Sequence, residues 1–178
     1  MNIYLIGYRC TGKTSAGRLL SRKTGRLLVD TDQQVAARAG MPVSEIVARH
    51  GWPFFRDMEK QALQETTASS RLVVATGGGI ILSPENRAIL ADPAHFTVWL
   101  CAPAETIEKR MKEDRQTREL RPALTEDFLS REIAGTLAER NPYYEAAGDM
   151  AIDTDQRSVE EVCELILKER PNVRQHLW

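Results

Sequence analysis

Gly7-Tyr8-Arg9-Cys10-Thr11-Gly12-Lys13-Thr14 follows the apolar run Ile3-Tyr4-Leu5-Ile6 and leads into Thr14–Thr24, where Ala16, Leu19 and Leu20 fall on one helical stripe. Strand, glycine loop and helix in that order make the stretch a phosphate-binding P-loop. Its two glycines let backbone N–H groups turn inward, and the helix start adds positive potential, so Cys10, Thr11, Gly12, Lys13, Thr14 and Ser15 can wrap a polyphosphate. Lys13 is expected to reach the β- and γ-phosphates of ATP, and the Thr14 hydroxyl to sit on Mg²⁺. The alternative is a chance match in a glycine-containing turn, and both flanks argue against it.

Further apolar runs at Leu27–Val29, Leu72–Ala75, Phe96–Leu100 and Met150–Ile152 alternate with helical patterns such as Val43, Ile46, Val47 and Val159, Val162, Cys163, Ile166. This alternation predicts an α/β fold with a five-stranded parallel sheet covered on both faces. Gly25 and Gly40 are placed to cap helices, while Ser83-Pro84 and Ala102-Pro103 are placed to start them. Lys112–Leu124 breaks the pattern: Arg115, Arg118 and Arg121 stand among acidic and polar residues with almost no apolar periodicity, as in a lid or a solvated linker. The predicted organisation is one domain over residues 1–170 with a lid near 112–124, followed by a tail, 171–178.

Ligands of open parallel sheets bind beyond the carboxyl ends of the strands. The first strand end carries the P-loop, the second Asp30-Thr31-Asp32, and the third Thr76-Gly77-Gly78-Gly79. The third strand ends without the carboxylate that many P-loop ATPases use for magnesium, so Asp30 becomes the expected metal residue with Thr14, acting through a bound water. Helix capping could account for one of Asp30 and Asp32 and leaves a carboxylate spare. Three consecutive glycines exceed what a turn needs and point to close backbone approach to a ligand.

The ordered set of P-loop, Asp30-Thr31-Asp32, Phe55-Arg56-x-x-Glu59, Gly77-Gly78-Gly79, Arg121-Pro122-x-Leu124 and Arg140 with Tyr143 resembles the shikimate kinase family, from the first strand through Ile152-Asp153-Thr154. The resemblance implies a P-loop NTPase-type three-layer sandwich with a mobile lid. It also implies transfer of the γ-phosphoryl group of ATP to the 3-hydroxyl of shikimate, in aromatic amino-acid biosynthesis, with one Mg²⁺ accompanying ATP. By the same likeness Asp32, Arg56, Gly78 and Arg140 bind shikimate, with Gly77 and Gly79 shaping the wall. Two guanidinium groups suit its carboxylate, and Asp32 suits its hydroxyls. Glu59 is expected to hold Arg56, and Arg121 to close over ATP and stabilise the transferring phosphoryl group. Ile152-Asp153-Thr154, with Ser158 and Val162, resembles the family's adenine-contacting loop, and Arg115 is the candidate to cover the purine. The family commonly has Gly or Ser where Cys10 stands.

With 178 residues, 42% of them hydrophobic, the chain can bury about 70% of its unfolded surface. Lys and Arg number 24 against 25 Asp and Glu, a net charge of −1, which disfavours a nucleic-acid-binding ATPase. No run approaches about 18 apolar residues and no basic leader precedes the first strand, so the expectation is a cytoplasmic protein without membrane contact. Cys10, Cys101 and Cys163 lack metal-ligand spacing and fit a reducing compartment, with Cys101 and Cys163 assigned to the core. Cys10 beside Lys13 is expected to alkylate faster than a free cysteine. A monomer is expected at this size. The competing activities are a gluconate-type or nucleoside-monophosphate-type kinase and a nucleotide switch without transfer. Against a GTPase switch, the guanine-reading Asn-Lys-x-Asp is absent.

Overall fold

The computed structural model describes residues 1–113 and 126–169. Strands β1 (Ile3–Ile6), β2 (Leu27–Asp30), β3 (Leu72–Ala75), β4 (Phe96–Cys101) and β5 (Met150–Asp153) pair in parallel, in the order β2-β3-β1-β4-β5. Helices α1 (Lys13–Thr24), α2 (Thr31–Ala39), α3 (Val43–Thr66), α4 (Pro84–Leu90), α5 (Ala104–Glu113), α6 (Glu126–Ala147) and α7 (Val159–Glu169) surround the sheet. The chain leaves β1 for one edge and leaves β3 in the other direction. Their adjacent carboxyl ends therefore form a switch point, where a crevice opens.

The alternation of side chains along β1 sorts the two core layers. Ile3 and Leu5 point to a layer with Ala16 and Leu20 of α1 and Val162, Cys163 and Ile166 of α7. Tyr4 and Ile6 point the other way, against Leu63 of α3, Leu90 of α4 and Tyr144 of α6. A buried aliphatic side chain of this kind stabilises the fold by roughly 1.5–3 kcal/mol. The two stripes read from the sequence in α1 and α7 are therefore core, as expected. So is Cys163, whereas Cys101, at the end of β4, is only half-buried.

The strands read at 27–29, 96–100 and 150–152 each run one residue further, because Asp30, Cys101 and Asp153 still pair with their neighbours. Leu27 opens the edge strand and stands 74% exposed, so the cover of the sheet stops short there. Ser83 caps α4 by accepting from the Asn86 N–H, with Pro84 behind it. Gly25 and Gly40 cap α1 and α2 in left-handed conformations. Within α3, Gly51 at φ 81° breaks the helix, and a fresh run from Trp52 carries Phe55, Arg56 and Glu59. The lid is expected near 112–124, and α5 continues through Glu113 because Ile107 and Met111 keep its apolar face buried. The rest of that segment, with Arg115, Arg118 and Arg121, lies outside the described residues, as does the tail 171–178. Among the described residues no helix is long and apolar enough to cross a membrane.

Candidate active site

The P-loop leaves β1 at Gly7, whose φ of 136° suits glycine and whose added Cβ would fall 2.1 Å from the Leu100 carbonyl oxygen. Lys13 is 8% exposed, and its Nζ donates to the carbonyls of Gly7 at 2.8 Å and Tyr8 at 2.6 Å, curling the loop around the ammonium group. Thr11 turns inward, its hydroxyl donating to Tyr8 O at 2.8 Å. Cys10 takes a left-handed φ of 60° and is half-buried. A cavity of about 310 Å³ opens over this loop, lined by Lys13, Thr14, Ser15, Asp30 and Asp32 among others.

Asp30 does two jobs at the end of β2. One carboxylate oxygen caps α2 by accepting from the Gln33 N–H at 3.2 Å, and the other accepts from the Thr14 hydroxyl at 3.0 Å. Asp32, in the first turn of α2, is the spare carboxylate: its Oδ1 is buried and has no hydrogen-bond partner among the described residues. The Thr31 hydroxyl accepts from the Gly77 N–H at 3.1 Å, tying the ends of β2 and β3 together.

A second cavity, of about 440 Å³, adjoins the first and is lined by Asp32, Arg56, Glu59, Gly77, Gly78, Gly79 and Arg140, with Tyr8, Arg9 and Trp52. Arg56 donates to Glu59 Oε2 at 2.6 Å, and its guanidinium carbon lies 5.1 Å from the Trp52 ring centre and 5.2 Å from that of Phe55. A helical i,i+3 pair of this type is usually solvated, but Glu59 is 1% exposed. Arg140 donates to Gly78 O at 3.4 Å, and the Tyr144 hydroxyl donates to the same oxygen. Three buried polar atoms in this cavity have no hydrogen-bond partner among the described residues: Asp32 Oδ1, Glu59 Oε1 and Arg140 Nε. Such groups are costly to leave unpaired, and their convergence marks a place for a polar ligand.

The glycine triplet explains itself differently from the sequence expectation. A Cβ at Gly79 would meet Arg56 Nη2 at 2.1 Å, and one at Gly77 would meet Asp32 Oδ1 at 2.4 Å and Glu59 Oε1 at 2.8 Å. The atoms that approach these two backbones are the chain's own site side chains. Gly78 packs towards the P-loop, with the Arg9 nitrogen 3.2 Å from its Cβ position.

Burial dominates the titration of the site. It lowers Lys13 to about 8, against the opposing pull of Asp32, Cys10 and Asp30. It raises Glu59 to about 7 despite Arg56, and it raises Asp32, helped by Asp30 and opposed by Lys13 and Arg56. Two carboxyls that hold protons readily thus face two arginines.

A third cavity, of about 360 Å³, flanks the P-loop between α1 and the connection from β5 to α7, lined by Cys10, Ser15, Arg110, Thr154, Arg157 and Val162 among others. Arg110 donates to Cys10 O at 3.2 Å and to Thr154 Oγ1 at 3.0 Å, joining α5 to both loops. The sequence reading chose Arg115 for this region, and that residue lies outside the described residues; Arg110 and Arg157 are the arginines that line the cavity. Of the adenine-loop candidates, Thr154 and Val162 line this cavity, and Ile152, Asp153 and Ser158 do not.

Lys13, Thr14, Ser15, Asp30, Asp32, Arg56, Gly77, Gly78, Gly79 and Arg140 thus gather around two adjoining cavities, with Cys10 and Gly12 on the nucleotide-side walls. Sequence reasoning missed Tyr8, Trp52, Arg110 and Tyr144. Tyr143, quoted beside Arg140, instead sits 40% exposed under Arg87, and its neighbour Tyr144 reaches the site.

A P-loop that shares a wall with a pocket lined by arginines and holding a spare carboxylate defines a small-molecule kinase of the P-loop class. The family profile described as shikimate kinase matches residues 9–170. A shikimate kinase of Oleidesulfovibrio alaskensis is 44% identical over 154 residues, covering 86% of this chain and 88% of that one. The structure of shikimate kinase from Acinetobacter baumannii in complex with shikimate superposes with a TM-score of 0.86 at 30% identity, covering 98% of this chain and 94% of that one. The chain belongs to the shikimate kinase family. A gluconokinase from Sinorhizobium meliloti shares the fold alone, with a TM-score of 0.60 at 18% identity over 99% of this chain and 94% of that one.

Proposed function

We propose that the protein transfers the γ-phosphoryl group of ATP to the 3-hydroxyl of shikimate, with Arg56 and Arg140 gripping the ring carboxylate and Asp32 receiving the reacting hydroxyl. The observation that carries this reading is Asp32 Oδ1, buried with no hydrogen-bond partner among the described residues, on the wall common to the phosphate and acceptor cavities. Charge-assisted hydrogen bonds from the two arginines are worth roughly 1.5–3 kcal/mol each, enough to fix the acid's orientation. Lys13 leaves the loop carbonyls for the β- and γ-phosphates, while the amides of Cys10 to Ser15 cradle them.

Thr14 and Asp30, 3.0 Å apart, fit the hold on Mg²⁺. Magnesium keeps most of its waters and takes phosphate oxygens with few protein ligands, and the described residues offer no cluster of three acidic, Cys or His ligands. Held by these two residues, the ion would supply positive charge that offsets the charge of the transferring phosphate.

During transfer the hydroxyl oxygen forms its bond to the γ-phosphorus as the bond to the bridging oxygen of ADP breaks. Asp32, whose proton affinity burial raises, takes up the hydroxyl proton. Arg121 supplies a further cation for the charge on the transferring phosphoryl group. The protein works as a cytoplasmic monomer. The test is ADP formation from MgATP with shikimate and with gluconate in parallel. Turnover with shikimate and none with gluconate is expected; the reverse, or ADP released equally without acceptor, would remove the proposal.

A further inference from the structure

The phosphate and acceptor cavities share three lining residues: Arg9, Asp32 and Gly78. A group that passes from ATP to an acceptor must pass this wall. Asp32 contributes a carboxylate and Gly78 only backbone, so Arg9 is the one cation of the three. Lys13 lines the phosphate side alone, and Arg56 and Arg140 line the acceptor side alone. The phosphoryl group in flight spreads negative charge over three oxygens, and its transfer depends on cations placed where that charge sits.

Arg9 is also held in a way that lets it move there. Its Nε and Nη2 donate to the Tyr8 hydroxyl at 3.3 and 3.1 Å, and Nη2 stands 3.6 Å from Glu132 Oε1 of α6. The side chains of that ion pair are 34% and 31% exposed, a setting in which such pairs contribute little.

We infer that Arg9 is a further catalytic residue: its guanidinium swings off Tyr8 and Glu132 onto the phosphoryl group between donor and acceptor, and then holds the phosphate of the product. The inference rests on the function proposed above. The acceptor oxygen bonds to phosphorus as the bond to ADP breaks, the acceptor proton goes to Asp32, and the guanidinium stays protonated throughout. Arg9 thus reads the phosphoryl group and not the acid that receives it. A purely structural Arg9, linking the P-loop to α6, would treat shikimate and its 3-phosphate alike.

The test uses Arg9→Met, which keeps length and removes charge, and Arg9→Lys, which keeps charge. Steady-state ADP release gives kcat and KM, calorimetry gives the affinity for shikimate and for shikimate 3-phosphate, and thermal melting reports folding. For R9M, kcat is expected to fall roughly 10²–10³-fold, at or just below the lower end of the roughly 10³–10⁵ that an inserted arginine supplies. KM for shikimate should stay within about threefold, affinity for the 3-phosphate should drop about tenfold or more, and R9K should recover part of both losses. The inference is overturned if R9M keeps kcat within about threefold, or loses shikimate and its 3-phosphate by the same factor. A wild-type protein that forms no ADP with shikimate would instead remove the proposed function, and the inference with it.

Discussion

Gly79→Ala isolates the acceptor grip without touching a charged residue. The φ of −96° at Gly79 is open to alanine, so the backbone does not resist. The new methyl group would lie 2.1, 2.3 and 2.4 Å from Nη2, Nη1 and Cζ of Arg56, well inside contact distance. The guanidinium must vacate that face, and it then leaves both the cavity wall and its 2.6 Å bond to Glu59. Losing one charge-assisted hydrogen bond to the acid costs roughly 1.5–3 kcal/mol. At about 1.4 kcal/mol per factor of ten, KM for shikimate should rise about 10- to 150-fold. Arg56 does not line the phosphate cavity, so KM for ATP should stay within about twofold. Steady-state kinetics with each substrate varied, beside a melting curve, reads all of this. The companion Gly77→Ala drives a methyl group at Asp32 Oδ1 from 2.4 Å and should depress kcat instead. A G79A enzyme with an unchanged KM for shikimate would refute the seating of Arg56 on this glycine.

Three further outcomes are expected. Glu59 titrates near 7 in the fold against an ordinary 4.5. Between those values the folded protein holds a proton that the unfolded chain has lost, so on this group's account stability falls as pH rises through the window. Above pH 7 the ionised Glu59 competes with the substrate for Arg56, so KM for shikimate should climb a few-fold from pH 6 to 8, and Glu59→Gln should flatten that climb. Lys13 titrates near 8 against an ordinary 10.5, so its contribution to stability rises with pH between those values, where only the unfolded chain keeps the proton. ATP binding near pH 9 should therefore take up close to one proton, seen as a calorimetric heat that depends on the buffer's ionisation enthalpy; equal heats in all buffers would contradict it. Gly7→Ala combines a φ of 136° with a methyl group 2.1 Å from Leu100 O and should lower stability by about 3 kcal/mol or more. A wild-type urea midpoint would oppose that reasoning.

What could be read from the sequence was local. The P-loop, the Asp30-Thr31-Asp32 turn and the Gly77–Gly79 run are each contiguous, and each follows a strand whose apolar run is visible, so the strands and the phosphate loop follow from neighbours in the chain, while the strand order that makes the switch point does not. Residues that matter through distant partners stayed hidden. Nothing near Glu59 in the sequence signals 1% exposure, because Asp32 and Gly77 create its surroundings. Tyr144 is core, stacked on Trp99 at 6.0 Å, yet its hydroxyl ends on Gly78 O, a contact that no neighbour in the sequence signals. Arg110 looks like an exposed charge in a helix until α5 places it between the P-loop and Thr154. The glycines at 77 and 79 were legible as unusual, but their reason depends on three side chains from α2 and α3.

In the proposed function one acid is held by Arg56 and Arg140 with its alcohol turned towards Asp32 and the P-loop. A crystal structure with MgADP and shikimate measures this directly. The carboxylate should lie within about 3.2 Å of nitrogens from both guanidinium groups, with the 3-hydroxyl at hydrogen-bond distance from Asp32. A carboxylate bound away from either arginine, or a ring turned so that its 3-hydroxyl faces away from Asp32, would contradict it.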